Sequence, residues 1–334
     1  MNPFTSAAIL GAGSLGTALA RLLAPKLESI LLVSIEEQCV AGINRDHRNP
    51  KYLTDIPLGE NVRATGDHRD ILDLPLVIFA VPTVGVRSEA QKLAGLGLPT
   101  TTPLLSCTKG IERNTGERMS EILHEVFPQN PIGVLTGPNH AEEIATGLVT
   151  CAVVASANAE LALHLQELFT FPNFRTYTSD DLAGVELGGA IKNVYAIAAG
   201  MAHGLGLGDN AVAALVTRAL AEMTRLGTAL GGQKDTFAGL SGVGDLIVTC
   251  FSEHSRNHRV GLALGKGKSL DEAVSSLGMV AEGVPNTLSI HEAARKAGVR
   301  TPIIDAVYSI LYQGKPAADA MRGLLDRDPR PENS

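Results

Sequence analysis

The sequence predicts an α/β fold: a doubly wound, mostly parallel sheet in the first half and an all-helical second half. Three observations predict it. From residue 7 to about residue 180, short apolar runs alternate with helix-like segments, the rhythm of strands joined by helices that cover both faces of a sheet. Strand signals then stop, and segments separated by Gly- or Pro-containing breaks read as helices. The chain has 334 residues, more than the ~250–300 that one hydrophobic core usually serves. Two domains are therefore expected, a sheet domain at 1–185 and a helical domain at 186–334.

In order, "AAIL" reads as a strand, 15–24 as a helix, and "ILLVSI" and "LVIFAVP" as strands. A helix follows at 86–95, then a strand in "PLLSCTKG", a helix at 116–127 and a strand in "IGVLTGP". A short helix starts at Ala141, "TCAVVAS" is a strand, 158–169 a helix and "FRTYT" the last strand. The helical half is expected over 182–203, 210–230, 257–265, 270–277, 285–297 and 303–312. The tail "RDPRPENS" is polar and Pro-broken and is expected to fray.

Composition narrows the function. The net charge is −7 and the sequence contains no Lys/Arg run, which argues against nucleic acid as a partner. Four widely spaced cysteines, Cys39, Cys107, Cys151 and Cys250, suggest a reducing compartment rather than a disulfide framework. The N-terminus lacks the basic and long apolar regions of a signal peptide, so the expected location is the cytoplasm. The apolar run 187–208 is broken by Lys192, Asn193, His203 and several glycines, and reads as a buried helix rather than a membrane span.

The first motif is "AILGAGSLGTALA", where Gly11-x-Gly13-x-x-Gly16 follows a strand and opens a helix. The first glycine allows the tight turn, the second lets a pyrophosphate approach the backbone, and the third packs helix on strand. The helix N-terminus offers N–H groups and a partial positive charge to the phosphates. In this context a Rossmann-type site for a nicotinamide dinucleotide is expected. After the second strand stand Ser34, Glu36 and Glu37 with no basic residue, which leans towards NAD(H) over NADP(H) because a carboxylate repels a 2′-phosphate. The same acids are also what an ordinary helix N-terminus prefers.

Lys109 in "LLSCTKGIE" and Asn139 in "LTGPNHAEE" follow strands at the sheet edge where open α/β folds bind ligands. In the helical half, Asp245 closes "GLSGVGD", and Ser255, Arg256 and Asn257 combine a phosphate-binding guanidinium with helix-start hydrogen bonders. A capping Ser beside exposed basic residues is the plainer reading of that trio. His254 and His258 are spaced i,i+4, but no carboxylate or thiol at suitable spacing joins them, so no metal site is expected. Lys192 is the lone charge in "VELGGAIKNVYAIAAG"; burial there lowers an ammonium's pKa towards the range useful for proton transfer. A lysine that snorkels to solvent at the helix edge is the plainer reading. Positions three and four residues away offer no carboxylate, so its partner must come from elsewhere in the chain, and Asp245 is the candidate.

Together, "GAGSLGTALA", "SCTKGIERNTG", "LTGPNHAEEIATG", "FRTYTSDDLAGVELGGAIKNVYAIAAGMAHGLGLGDNA", "GLSGVGDLIVTCFSEHSRNHRVG" and "MVAEGVPNT" resemble the bacterial-type NAD(P)-dependent sn-glycerol-3-phosphate dehydrogenases over nearly the whole chain. The resemblance implies reduction of dihydroxyacetone phosphate to sn-glycerol 3-phosphate, supplying phospholipid synthesis, by a homodimer. It implies that Lys192 is the general acid/base and that Lys109 lies between nicotinamide and substrate. Asp245, Ser255, Arg256, Asn257 and Gly137 would meet substrate, with Asn139 a further candidate. Ser14 and Leu15 would line the pyrophosphate turn, and Ala141, Arg256, Val280 and Glu282 would complete the cofactor site. Two departures stand out. Val33-Ser34-Ile35 replaces a Trp-led segment that ends in His or Arg, and Asn139-His140 replaces a small hydroxyl residue followed by an aromatic. The alternatives are a 3-hydroxy-acid or 6-phosphogluconate-like dehydrogenase and a non-catalytic dinucleotide-binding protein.

Overall fold

A computed structural model of the protein describes residues 3–277, 280–325 and 331. Met279 of "MVAEGVPNT" and the tail expected to fray, Pro331 apart, lie outside them. Among the described residues eight strands form one sheet: β1 (Ser6–Leu10), β2 (Ser29–Val33), β3 (Val62–Thr65), β4 (Val77–Phe79), β5 (Leu104–Ser106), β6 (Ile132–Thr136), β7 (Thr150–Ser156) and β8 (Phe174–Ser179). Their spatial order is β3-β2-β1-β4-β5-β6-β7-β8, parallel throughout except where β6 meets β7. The order reverses between β1 and β4, which opens a ligand crevice at their carboxyl ends. Leu10 pairs with Val33 and Phe79, and Phe79 with Ser106, so the loops after these strands leave from one edge.

The sheet helices are α1 (Ser14–Leu23), α2 (Glu37–Asp46), α3 (Val86–Gly95), α4 (Met119–Val126), α5 (Ala141–Thr146) and α6 (Ala159–Phe169). Side chains of successive strand residues point to opposite faces. Ala7 and Ile9 accordingly join Leu19, Ile144 and Leu165 in one core, while Ala8 and Leu10 join Ala90, Leu93 and Ile122 in another. Burial on both faces is why these strands read as apolar runs rather than alternating patterns. The sequence reading had no strand for β3 and no firm helix for α2. β3 is a four-residue edge strand with Arg63 exposed, too short and polar to carry the signal.

The helical half contains α7 (Leu182–Gly204), α8 (Asp209–Ala229), α9 (Asp245–Phe251), α10 (Arg256–Gly265), α11 (Leu270–Ser275), α12 (Gly283–Lys296), α13 (Pro302–Gln313) and α14 (Ala317–Leu325). The expected helices are present, with α9 and α14 in addition. α7 is the axis. Its N-cap Asp181 accepts from Gly184 N–H at 2.9 Å, and every residue from Gly184 to Ala202 is buried. Such all-round burial explains the absence of an amphipathic stripe in its sequence.

Two features of α7 position the site. A Cβ on Gly200 would lie 2.1 Å from the His258 carbonyl oxygen, and one on Gly261 would lie 2.0 Å from that of Ile197. Only glycine lets α7 and α10 meet at backbone distance, and this contact sets the start of α10 beside the middle of α7. Glu186, buried in α7, accepts from Ser120 N–H at 2.9 Å and from Arg118 at 2.8 Å, tying α7 to the start of α4 on the sheet domain. Burial raises the Glu186 pKa, opposed by the Arg118 charge. Among the described residues no helix is long and apolar enough to cross a membrane.

Candidate active site

A cleft of about 1030 Å³ runs along the carboxyl edge of the sheet and under α7. Its wall includes Gly11, Gly13, Ser14 and Leu15 of the glycine turn and Lys192, Asn193 and Arg256 of the helical half. Gly11 adopts φ +103°, and a Cβ there would lie 2.8 Å from the Ala80 carbonyl oxygen, so the turn after β1 requires glycine. A Cβ on Gly13 would meet nothing within 4 Å, leaving open space at the head of α1, whose first turn holds no acidic residue. That cradle and charge pattern fit a dinucleotide pyrophosphate. Gly16 does not line the cleft. A Cβ there would stand 1.9 Å from the Gly11 carbonyl oxygen, the close helix–strand contact expected of the third glycine.

Three charged side chains meet beside this cleft, from α7, α9 and the loop after β5. Asp245, the first residue of α9, is 1% exposed. Its Oδ1 accepts from Lys192 Nζ of α7, and its Oδ2 accepts from Lys109 Nζ at 2.9 Å. Lys192 also donates to Thr249 Oγ1 at 2.7 Å. An ammonium has three donors, so one N–H of Lys192 is left for the cleft it lines. Lys109 further donates to the Gly137 carbonyl at 2.8 Å and to Asn139 Oδ1 at 2.5 Å. Burial lowers the Lys192 pKa to about 7; Asp245 opposes that fall and Lys109 adds to it. Burial pushes Asp245 up, but the charges of Lys109 and Lys192 outweigh it, and its carboxyl stays below the ordinary range. The pair is direct and buried, not a snorkelling lysine. Gly188 makes room for it: a Cβ there would lie 2.4 Å from the Ser241 carbonyl oxygen in the π-helical turn Leu240–Gly244 that delivers Asp245.

The other expected residues gather around this cluster, some facing the cleft and some behind it. Ser255 caps α10, accepting from His258 N–H at 3.2 Å, so the capping reading of that serine holds alongside its place in the cleft wall. Asn257 donates to Asn193 Oδ1 at 2.9 Å and accepts from Gly283 N–H at 2.8 Å. Arg256 donates to the Val280 carbonyl at 2.7 Å. Glu282 reaches back to the sheet domain, accepting from Thr83 N–H at 3.1 Å and from Thr83 Oγ1 at 3.0 Å, and burial raises its pKa. Ala141, Asn139, Val280 and Glu282 line the cleft; Gly137 and Asp245 stand behind Lys109.

Several residues escaped sequence reasoning. Thr249, one turn after Asp245, has a spacing signal only if α9 is recognised. His140 lines the cleft, and its Nε2 is buried with no hydrogen-bond partner among the described residues. Burial, then Lys192 and Lys109, depress its pKa to about 4, so its ring is neutral near pH 7. Lys51 pairs with Glu36 at 2.9 Å, and Tyr52 Oη donates to Glu36 at 2.9 Å. The expectation of an acidic second turn with no cation near it therefore needs correction. Lys51 lies fifteen residues after Glu36 in sequence, and only the return of the chain brings it alongside. His254 and His258 diverge, the first facing His140 and the second donating to or accepting from His203 at 2.7 Å.

Two family descriptions match the chain: NAD-dependent glycerol-3-phosphate dehydrogenase N-terminus over residues 6–162, and the C-terminus of the same family over 181–322. A relative named glycerol-3-phosphate dehydrogenase [NAD(P)+] from Moorella thermoacetica is 47% identical, covering 96% of each chain. The chain belongs to the NAD-dependent glycerol-3-phosphate dehydrogenase family. An Enterococcus faecalis glycerol-3-phosphate dehydrogenase [NAD(P)+] is 44% identical over 98% of this chain and 97% of its own. The crystal structure of glycerol-3-phosphate dehydrogenase from Coxiella burnetii superposes with a TM-score of 0.94 at 37% identity, covering 97% of this chain and 99% of that one. A ketopantoate reductase from Ralstonia eutropha, at 17% identity and a TM-score of 0.58, shares the fold. Lys192 and Lys109 line the same cleft as the glycine turn, and Asp245 joins the two lysines behind it.

Proposed function

We propose that this protein reduces dihydroxyacetone phosphate to sn-glycerol 3-phosphate, reversibly, with NAD(P)H, and that the product enters glycerophospholipid synthesis. The observation that carries this reading is the direct, buried Lys192–Asp245 pair, whose lysine lines the same cleft as the dinucleotide turn. On this reading 1–185 binds the dinucleotide and 186–334 supplies the substrate site.

The dinucleotide, when bound, supplies the hydride that reaches C2. Gly11, Gly13, Ser14 and Leu15 would hold its pyrophosphate, and Ala141, Arg256, Val280, Glu282 and Lys109 would complete its site. Negative charge develops on the C2 oxygen, and the spare N–H of Lys192 donates a proton to it. A pKa of about 7 suits that group to give a proton in one direction and take it in the other. Lys109, fixed by Gly137, Asn139 and Asp245, adds positive charge beside the same oxygen without having to move. Arg256, with Ser255 and Asn257, anchors the substrate phosphate and so fixes C2 against the hydride donor. Asp245 holds both lysines in place, and Gly137 and Asn139 shape the wall beside them. Glu36 at the ribose end supports a slight preference for NAD(H). A homodimer is the state that the family resemblance supports, and the four widely spaced cysteines suit a reducing, cytoplasmic setting.

The test is oxidation of NADH, and separately of NADPH, on addition of dihydroxyacetone phosphate. Turnover with at least one is expected, NADH giving the higher kcat/KM. Lys192→Ala should lower kcat by about 10²–10⁴-fold. Absence of turnover with either cofactor, or a near wild-type kcat in Lys192→Ala, would overturn the reading.

A further inference from the structure

At the ribose end of the cleft the structure holds a charge pair that the established activity does not call for. Glu36 lines the cleft, and its carboxylate takes hydrogen bonds from three neighbours: Lys51 Nζ at 2.9 Å, Tyr52 Oη at 2.9 Å and Cys39 Sγ at 3.5 Å. The Lys51 bond, chiefly, keeps Glu36 below the usual carboxylate range, so it is ionised at neutral pH. The neighbouring Ile35 is 88% exposed and offers no polar group.

Lys51 is not a loose surface charge. Asn49, fully buried, accepts from the backbone N–H groups of Lys51 and Tyr52 at 3.0 and 3.1 Å. The same Asn49 donates to the Ala12 carbonyl at 2.7 Å and to Thr17 Oγ1 at 2.9 Å. One buried amide thus ties the Lys51 backbone to the glycine turn, while its ammonium, on a flexible four-carbon stem, rests on Glu36 and 5.2 Å from the Tyr52 ring centroid. The Lys51 side chain is 42% exposed and that of Glu36 27%, so a ligand at the rim can reach both.

We propose that Lys51 is the cation through which this chain accepts the 2′-phosphate of NADP(H), and that Glu36 competes for it. With NAD(H), Lys51 stays on Glu36 and the carboxylate accepts a ribose hydroxyl. With NADP(H), Lys51 leaves Glu36 and pairs with the dianionic phosphate, the stronger partner for an ammonium. Glu36 is then left beside like charge, which makes the second cofactor the weaker one without excluding it. This deepens the NAD(H) preference proposed above and rests on it.

The test uses two fragments that differ only in the 2′-phosphate, adenosine 2′,5′-bisphosphate and adenosine 5′-monophosphate, titrated calorimetrically into the full chain at fixed low salt. Lys51→Ala should raise the Kd of the bisphosphate about tenfold, the scale of a lost hydrogen bond to a charged group, and shift that of the monophosphate less than about threefold. Lys51→Arg should restore bisphosphate binding. Glu36→Gln should tighten the bisphosphate about tenfold by freeing Lys51, and Lys51→Ala in the same chain should cancel that gain. Equal weakening of both fragments in Lys51→Ala would mean that the lysine only supports the loop, and would overturn the proposal, as would an unmoved bisphosphate Kd. A wild-type chain that binds the bisphosphate more tightly than the monophosphate would sink the NAD(H) preference instead. The role of Lys51 would still be decided by the variants.

Discussion

Asp245→Asn isolates what the buried carboxylate does for Lys192. Asparagine has the same shape and still accepts one hydrogen bond, but removes the negative charge that two ammonium groups share. Leaving a buried charge without its partner costs about 3–5 kcal/mol. If half of that falls on the protonation of Lys192, at 1.36 kcal/mol per unit its pKa drops by roughly one to two units from about 7. At about pH 7.5 the protonated fraction then falls from about a quarter to about one per cent, a roughly 20-fold loss of the acid form. The sign follows directly: reduction needs protonated Lys192, so the wild-type rate declines above about pH 7 and the variant's decline begins one to two units lower. The assay is the pH profile of kcat for dihydroxyacetone phosphate reduction, with the reverse reaction measured in parallel. Reverse turnover, which needs neutral Lys192, should extend to lower pH in the variant. An unshifted descending limb in Asp245→Asn would refute the claim that Asp245 sets the protonation of Lys192.

Arg256→Ala should raise the KM for dihydroxyacetone phosphate by about 10–100-fold, the scale of a lost charge-assisted contact, with a smaller change in kcat; an unchanged KM would move the phosphate anchor elsewhere. Gly188→Ala places a methyl 2.4 Å from the Ser241 carbonyl oxygen and should lower stability to urea by about 1–3 kcal/mol. Glu222, buried beneath α13, accepts from Ile303 and Ile304 N–H, each at 3.0 Å, and burial raises its pKa from 4.5 to about 7. Between those values the folded chain binds the extra proton, so this group's contribution to stability declines as pH rises from about 4.5 to 7. Thermal melts of Glu222→Gln across that window should show a flatter slope than wild type, and an equal slope would exclude Glu222 as its source.

Much of the fold was legible because its signals are local. Strand, glycine turn and helix succeed one another within the first two dozen residues, and Gly16 answers a steric demand only five residues back, at the Gly11 carbonyl. β3 and α9 were not legible, being short segments that are stabilised by what packs on them rather than by their own pattern. The roles of Lys109, Arg256 and Glu282 came from family resemblance; their spacing in sequence carried no such message.

The sequence by itself determined that Lys192 sits in an apolar helix without a carboxylate at helical spacing, and hence that any partner must be distant in the chain. It also offered Asp245, fifty-three residues on, as the candidate; tertiary structure alone decided that the pair is direct, that Lys109 shares it, and that Thr249 completes the set. It likewise decided that Lys51 returns to cover Glu36. The physical reason is range. Backbone sterics and hydrophobic periodicity act over a few residues and can be read along the chain, whereas a buried charge is stabilised by whatever the packing of α7, α9 and the sheet edge carries within about 3 Å of it.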